Sequence, residues 1–257
     1  MRSRAWAAAV FPLLAGFSLW APAPKRYRID LKTTQVIDLT ALGQTEQRQS
    51  FGSAGFLTVT LADSSGGKSI TIVLDSLKPD SESPIPAEAA KAVSNTTWHG
   101  QVGTNGRITG LKTESDNPVA GQITGLLRDF LPPVPLGTQA GKAWTDTTEN
   151  NDSVPGGALA VRTVTNFQSS SELYGGVKAL KIASASSSAI SGTQDTGGGT
   201  ASIEGTGTGT GAWYVGPDGT YLGGSRTAKQ NLTVSGAFAP EPLPVTVTVE
   251  ATTSLLK

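Results

Sequence analysis

The sequence predicts a mainly β protein. We expect either one large curved antiparallel sheet (a half-barrel) or a sandwich, with about ten to twelve strands and one or two short helices packed on it. Three observations predict this class. The 257 residues include 31 glycines and 15 prolines, and only 16% are charged. Most segments alternate apolar and polar residues and end at Gly, Pro, Asn or Asp, as strands do. Only one stretch shows a clean helical period.

The first half of the chain predicts strands, a short helix and a hairpin. Strands are predicted at residues 26–39, 51–61 and 69–77. A hairpin turn is predicted at residues 64–67, and the alanine-rich residues 86–94 predict a short helix that begins with a proline. Residues 96–112 predict a hairpin. Its turn at Asn105-Gly106 favours type I′, which requires positive φ at both central residues.

A single amphipathic helix is predicted in the middle of the chain. Its apolar stripe at helical spacing consists of Val119, Ile123, Leu126, Leu127, Phe130 and Leu131. Asn117 suits the N-cap, and Pro132 should end the helix because proline cannot donate the helical hydrogen bond. Gly121 and Gly125 weaken the helix by about 1 kcal/mol each relative to alanine, so we expect them to allow close approach of another backbone.

The second half of the chain predicts a further set of strands. These strands are expected at residues 143–148, 158–169, 177–185, 231–238 and 243–251. Residues 150–157 predict a loop, and residues 212–227 predict a hairpin that turns at Asp218-Gly219. The Gly-, Ser- and Thr-rich residues 186–211 predict either two thin, solvent-facing strands or a mobile flap.

The two halves share one feature, a tryptophan that precedes a hairpin turn. Trp98 precedes Asn105-Gly106, and Trp213 precedes Asp218-Gly219. We therefore predict one β-rich domain over residues 24–257, made of similar halves at 24–115 and 143–257 that are joined by the helix and Pro-rich segment at 116–142.

The N-terminus predicts export. Arg2 and Arg4 precede an apolar run that ends in small residues, so residues 1–23 are expected to be a signal peptide or a retained N-terminal anchor. The expected location is periplasmic or extracellular. The chain has no cysteine, which excludes disulfides, thiolate metal sites and N-terminal lipidation at a cysteine.

The composition argues against several function classes. The net charge is zero, whereas nucleic-acid binding needs a basic excess. His99 is the only histidine, and no catalytic motif accompanies it, so we predict no catalytic residue, no metal and no cofactor. The acidic residues Asp146, Glu149 and Asp152 are interpreted as a solvated loop.

Residues 130–147, FLPPVPLGTQAGKAWTDT, carry a resemblance. A Leu-Pro-x-x-Pro run followed by Gly-x-x-Trp-Thr, with a later Pro-Asp-Gly hairpin at residues 217–219, resembles uncharacterised bacterial secreted β-rich proteins. The general layout is similar to the half-barrels of periplasmic lipoprotein carriers and mycobacterial lipid-binding lipoproteins. That resemblance implies a curved sheet that cups helices over a hydrophobic cavity. This chain lacks their lipidation cysteine.

Three functional hypotheses follow. The first is a non-enzymatic envelope protein that binds an apolar, lipid-like small molecule between sheet and helix. Its candidate groove residues are Val119, Ile123, Leu126, Leu127, Phe130, Leu131 and Trp144. The second is a structural or interaction module that binds an envelope protein partner through an exposed β edge at residues 186–211. The third, a hydrolase that uses His99, has the least support.

Overall fold

The computed structural model describes residues 23–64, 67–154, 157–195, 199–236 and 241–256. These residues form one antiparallel sheet of eleven strands. The strands are β1 Lys25–Ile37, β2 Gln47–Ser64, β3 Gly67–Pro79, β4 Thr97–Val102, β5 Ile108–Thr113, β6 Ala143–Val154, β7 Gly157–Tyr174, β8 Val177–Asp195, β9 Thr200–Val215, β10 Tyr221–Ser235 and β11 Leu243–Leu255. Residues 1–22 of the predicted targeting segment lie outside the described residues. Within the described part of the chain, no helix is both long enough and apolar enough to cross a bilayer.

The strands follow one another across the sheet in the order β5-β4-β3-β2-β1-β11-β10-β9-β8-β7-β6. Strands β1 and β11 therefore adjoin at the centre, and β5 and β6 form the two edges of the described sheet. The prediction of one large antiparallel sheet is confirmed, and the sandwich alternative is wrong. The helix and the Pro-rich segment connect β5 at one edge with β6 at the other.

The sheet curls so that its two edges meet at one end. Ten interstrand spacings of a flat sheet would separate β5 from β6 by roughly 48 Å. Yet Arg107 immediately precedes β5, and its Nε lies 2.6 Å from Asp146 Oδ2 on β6. In the same region Leu136 N donates to Thr104 O at 2.8 Å, so the Pro-rich segment contacts the turn between β4 and β5. The sheet is thus a nearly closed cup with an inner, concave face.

Two helices accompany the described sheet, α1 at Ala87–Ala92 and α2 at Pro118–Arg128. The predicted N-cap is present, since Asn117 Oδ1 accepts from Val119 N at 2.9 Å. The helix ends at Arg128, before the prolines that were expected to end it, and Phe130 N donates to Leu127 O in a terminal turn. Phe130 and Leu131 therefore lie beyond the helix, where Phe130 can turn towards the sheet.

The explanation predicted for the helical glycines is wrong. Gly121 and Gly125 are exposed, and a Cβ atom added at either would meet no atom within 4 Å. Among the described residues, no backbone outside the helix approaches these positions. Their cost in helix propensity is offset by the packing of the opposite side of α2.

The β4–β5 and β9–β10 hairpins both turn through three-residue loops. The type I′ turn predicted at Asn105-Gly106 is wrong. Gly106 has a φ of 78°, but the φ of Asn105 is negative. Gly106 N donates to Gly103 O at 2.9 Å, and Gly219 N donates to Gly216 O at 3.0 Å, so the two hairpins share one turn geometry. This is the arrangement in which a type I turn is followed by a left-handed glycine.

Two further expectations about the second half are corrected. The loop predicted at residues 150–157 is mostly strand, because β6 runs to Val154 and pairs with β7 along its length. The exposed edge predicted at residues 186–211 is internal, because β8 pairs with β7 and β9, and β9 pairs with β8 and β10. Within β9, Gly207 is buried while Thr206 and Thr208 are exposed, so the bare glycine face points into the cup.

Apolar packing on the concave face forms two clusters. In the first, α2 packs against β1 to β5, and the fully buried Trp98 donates from Nε1 to Thr124 Oγ1 at 2.7 Å. In the second, Val134 of the Pro-rich segment packs against Phe167, Leu180, Ile182 and Val215 of β7 to β9. The helix thus covers one half of the cup, and the segment that follows it covers the other.

Candidate functional site

An apolar groove lies beneath the C-terminal half of α2. It occupies the space between the helix and the central strands of the concave face. The space in the groove that a water-sized sphere can enter has a volume of ≈ 80 Å³. The whole groove, including its open mouth, has a volume of ≈ 770 Å³. The first figure is below the range of about 300–1,000 Å³ that is usual for small-molecule sites, and the second includes open solvent.

The groove walls are mostly aliphatic and come from seven elements. The helix side consists of Ile123, Leu126, Leu127, Asp129 and Phe130. The sheet side includes Ile29, Leu31, Gly55, Leu57, Leu74, Leu77, Trp213, Tyr221, Gly224, Arg226, Ala251 and Thr253. Ile85, from the loop that precedes α1, completes the wall. Gly55 leaves space in the groove that a larger side chain would fill.

A cluster of three aromatic rings anchors the helix end of the groove. The Phe130 ring lies edge-on to Tyr27 and to Tyr221, with centroid distances of 5.1 Å and 5.6 Å. Tyr27 Oη donates to Tyr221 O at 3.0 Å. Burial in this apolar setting raises the pKa of both phenols, so both tyrosines are neutral over the physiological range. The anchor fixes Phe130, the second residue after α2, to the central strands β1 and β10.

The mouth of the groove carries one ion pair. Arg226 Nη1 on β10 lies 3.9 Å from Asp129 Oδ2, and it donates to the Asp129 carbonyl oxygen at 3.4 Å. The Asp129 side chain is 63% exposed and that of Arg226 is 32% exposed. An arginine at a helix C-terminus is favourable because the last carbonyls carry partial negative charge.

Four of the seven predicted groove residues line this space: Ile123, Leu126, Leu127 and Phe130. Val119 is partly buried and packs against the first cluster. Leu131 is buried and faces a smaller cavity with Tyr27. Trp144 lies elsewhere, stacked on Phe167 in the second cluster with a centroid distance of 5.2 Å.

Sequence reasoning missed the sheet side of the groove, including Ile29, Tyr221 and Arg226. The alternation of β1 places Tyr27, Ile29 and Leu31 on one face, and this signal was present in the sequence. On β10 the corresponding signal is disturbed, because the register with β9 shifts between Tyr221 and Gly223.

The other side chains considered for catalysis or metal binding do not lie together in one site. His99 is exposed on β4, with Nδ1 3.2 Å from Thr71 Oγ1. Asp146 pairs with Arg107, and Glu149 pairs with Arg162 at 3.2 Å. Within the described ranges, no group of three His, Asp or Glu side chains is arranged to hold a metal ion.

No protein-family model matches this chain, and no curated protein matches it in sequence.

Proposed function

We propose that this protein is an exported, non-enzymatic binding protein or carrier for an apolar, lipid-like ligand. The ligand would lie between α2 and the concave face of the sheet. One observation carries the proposal. The groove has aliphatic walls on both sides, and Leu126 at its rim is 39% exposed although it belongs to the apolar stripe. Transfer of an alkyl chain into such a site contributes about 0.8 kcal/mol per buried methylene group.

Strand addition at a sheet edge is the weaker alternative. On its outer side, β6 has no partner strand among the described residues. However, Asp146 and Glu149 lie on β6, and charged side chains on an edge strand oppose the addition of another strand.

The proposal can be tested by filling the groove. Gly55 lines it, and a Cβ atom there would meet only Leu74 Cδ1, at 3.8 Å. Gly55→Leu therefore adds a side chain inside the groove without overlapping the backbone. Ala54→Leu is the matched control, because it adds bulk to the opposite face of the same strand.

The probe is N-phenyl-1-naphthylamine, a neutral fluorophore whose emission increases in apolar surroundings. We expect the wild type and Ala54→Leu to bind it, and Gly55→Leu to bind it about tenfold more weakly or worse, which corresponds to ~1.4 kcal/mol. Circular dichroism would verify that both variants fold. Equal binding by the two variants, or no binding by the wild type, would overturn the proposal.

A further inference from the structure

Arg226 is an unusual residue for the face on which it lies. Along β10, Gly224, Arg226 and Ala228 share one face, because side chains alternate in a strand. Arg226 pairs with Ala251 on β11 and with Gly211 on β9, so its immediate neighbours on the sheet carry small side chains. The guanidinium lies at the wall of the groove rather than on the outer surface.

Arg226 and Asp129 are the only charged residues among those described that line the groove. A cation beside an apolar cavity loses hydration, and this loss must be offset by a polar partner. With 32% of its side chain exposed, Arg226 is partly desolvated, so an anion that reached it would interact more strongly than on an open surface.

The present partner of Arg226 is a weak one. The distance of 3.9 Å from Nη1 to Asp129 Oδ2 is well beyond the ~2.8 Å of a charge-assisted hydrogen bond. Both contacts with Asp129 use Nη1, whereas a guanidinium carries five N–H donors. The Asp129 carboxylate is mostly exposed, so water can solvate it when Arg226 turns to another acceptor.

We propose that the groove selects an anionic amphiphile, a long-chain carboxylate or phosphate monoester, whose anionic group binds Arg226 at the mouth while its alkyl chain lies beneath α2. This inference rests on the proposed function and specifies its ligand class. Charge complementarity carries it, because the one basic group on the groove wall stands where the apolar lining meets solvent. Asp129 then acts as a competing internal anion that the ligand displaces.

The test compares an anionic ligand with a neutral one. Dodecanoate and dodecan-1-ol have the same chain length, and the binding of each is measured by displacement of N-phenyl-1-naphthylamine. We expect the wild type to bind dodecanoate about tenfold more tightly, which is the lower end of the range for a hydrogen bond to a charged group.

Two variants should change this preference in opposite directions. Arg226→Gln should reduce the ratio of the two affinities to about one. Asp129→Asn should raise the ratio about threefold, because a competing anion worth about 0.5–1 kcal/mol is removed. Lys229→Gln is the matched control. It removes one positive charge from the opposite face of the same strand, and it should leave the ratio unchanged.

The outcomes separate the two proposals. If the wild type binds both ligands equally, or if Arg226→Gln keeps the preference for dodecanoate, the inference about the anion is overturned while apolar binding stands. If neither ligand displaces the fluorophore and the fluorophore itself does not bind, the proposed function fails. A ratio that falls equally in Lys229→Gln would indicate a general charge effect and would also overturn the inference.

Discussion

Arg107 Nε lies 2.6 Å from Asp146 Oδ2, and this contact joins the two edges of the described sheet. The residues are 39 positions apart in sequence, and the helix and the Pro-rich segment lie between them. Their side chains are only 23% and 31% exposed, so the pair is less screened by water than a surface ion pair. The contact holds the two edges together, so that the sheet stays curled around both apolar clusters.

The first prediction concerns this ion pair. A double-mutant cycle with Arg107→Gln and Asp146→Asn, measured by urea unfolding, should give a coupling free energy of about 1 kcal/mol. Arg162 and Glu149 provide the control, because their pair is 63% and 72% exposed and should show coupling close to zero. Equal coupling in the two cycles would contradict the role assigned to the edge contact.

The second prediction concerns the aromatic anchor. Phe130 is 4% exposed and lies edge-on to two tyrosine rings. Phe130→Ala should lower the free energy of unfolding by about 3–5 kcal/mol, since both ring contacts and buried area are lost. Leu126→Ala, on the same segment but 39% exposed, should cost less than about 1 kcal/mol. Urea unfolding measures both, and similar costs would mean that Phe130 does not anchor the helix.

The third prediction concerns the turn between β4 and β5. Gly106 has a φ of 78°, and a Cβ atom there would lie 2.7 Å from the carbonyl oxygen of Val134. Gly137 has a similar φ of 76°, but a Cβ atom there would meet nothing within 4 Å. Gly137→Ala should therefore cost only the ~1–2 kcal/mol of left-handed backbone.

Gly106→Ala should cost about 4 kcal/mol or more, because the Pro-rich segment must also move away from the hairpin. Thermal unfolding of the two variants side by side measures the difference. If the costs are the same, the segment that contains Val134 does not rest on this hairpin as tightly as the structure indicates.

The fourth prediction concerns alkaline pH. Burial is the main cause that raises the pKa of Tyr27 and Tyr221 in the folded protein, whereas the unfolded phenols titrate near their usual value of about 10. Above about pH 10 the unfolded chain therefore releases protons that the folded chain retains. Stability should fall with rising pH in this window, by up to about 1.4 kcal/mol per pH unit for each tyrosine.

Tyr27→Phe removes one of these groups together with its hydrogen bond to the Tyr221 carbonyl. We expect the variant to be about 1 kcal/mol less stable than the wild type at pH 7, and this difference to shrink as the pH rises from 10 to 12. Urea unfolding at a series of pH values measures the two curves. If the stability curves of the wild type and Tyr27→Phe run parallel above pH 10, Tyr27 is not a buried neutral phenol in the folded protein.

The amphipathic stripe of α2 was predictable because helical spacing alone defines it. Ile123 and Leu127 face the sheet, as their period requires. The end of the helix was not predictable in the same way. Pro132 permitted a longer helix, but the chain leaves the helix at Arg128, since Phe130 gains two ring contacts on the sheet.

The groove could be only half predicted. Local alternation indicates which residues of a strand share a face, but it does not indicate which strands lie opposite the helix. Trp144 follows the helix and the Pro-rich segment in sequence. The Pro-rich segment leads the chain to the second cluster, where Trp144 stacks on Phe167. Arg226 is far from the helix in sequence, yet the curl of the sheet brings it to the helix end.

The sequence by itself determined the β class, the strand count within its predicted range, and the apolar face of α2, because side-chain periodicity and turn composition act over a few residues. Only the tertiary structure decided that β1 and β11 adjoin, that β8 and β9 are internal strands of the sheet, and that Arg226 meets Asp129. The pairing of β1 with β11 and the contact of Arg226 with Asp129 join residues that are far apart in sequence, 97 positions in the second case. Contacts at that range follow from how the whole apolar surface is buried, and no local pattern specifies them.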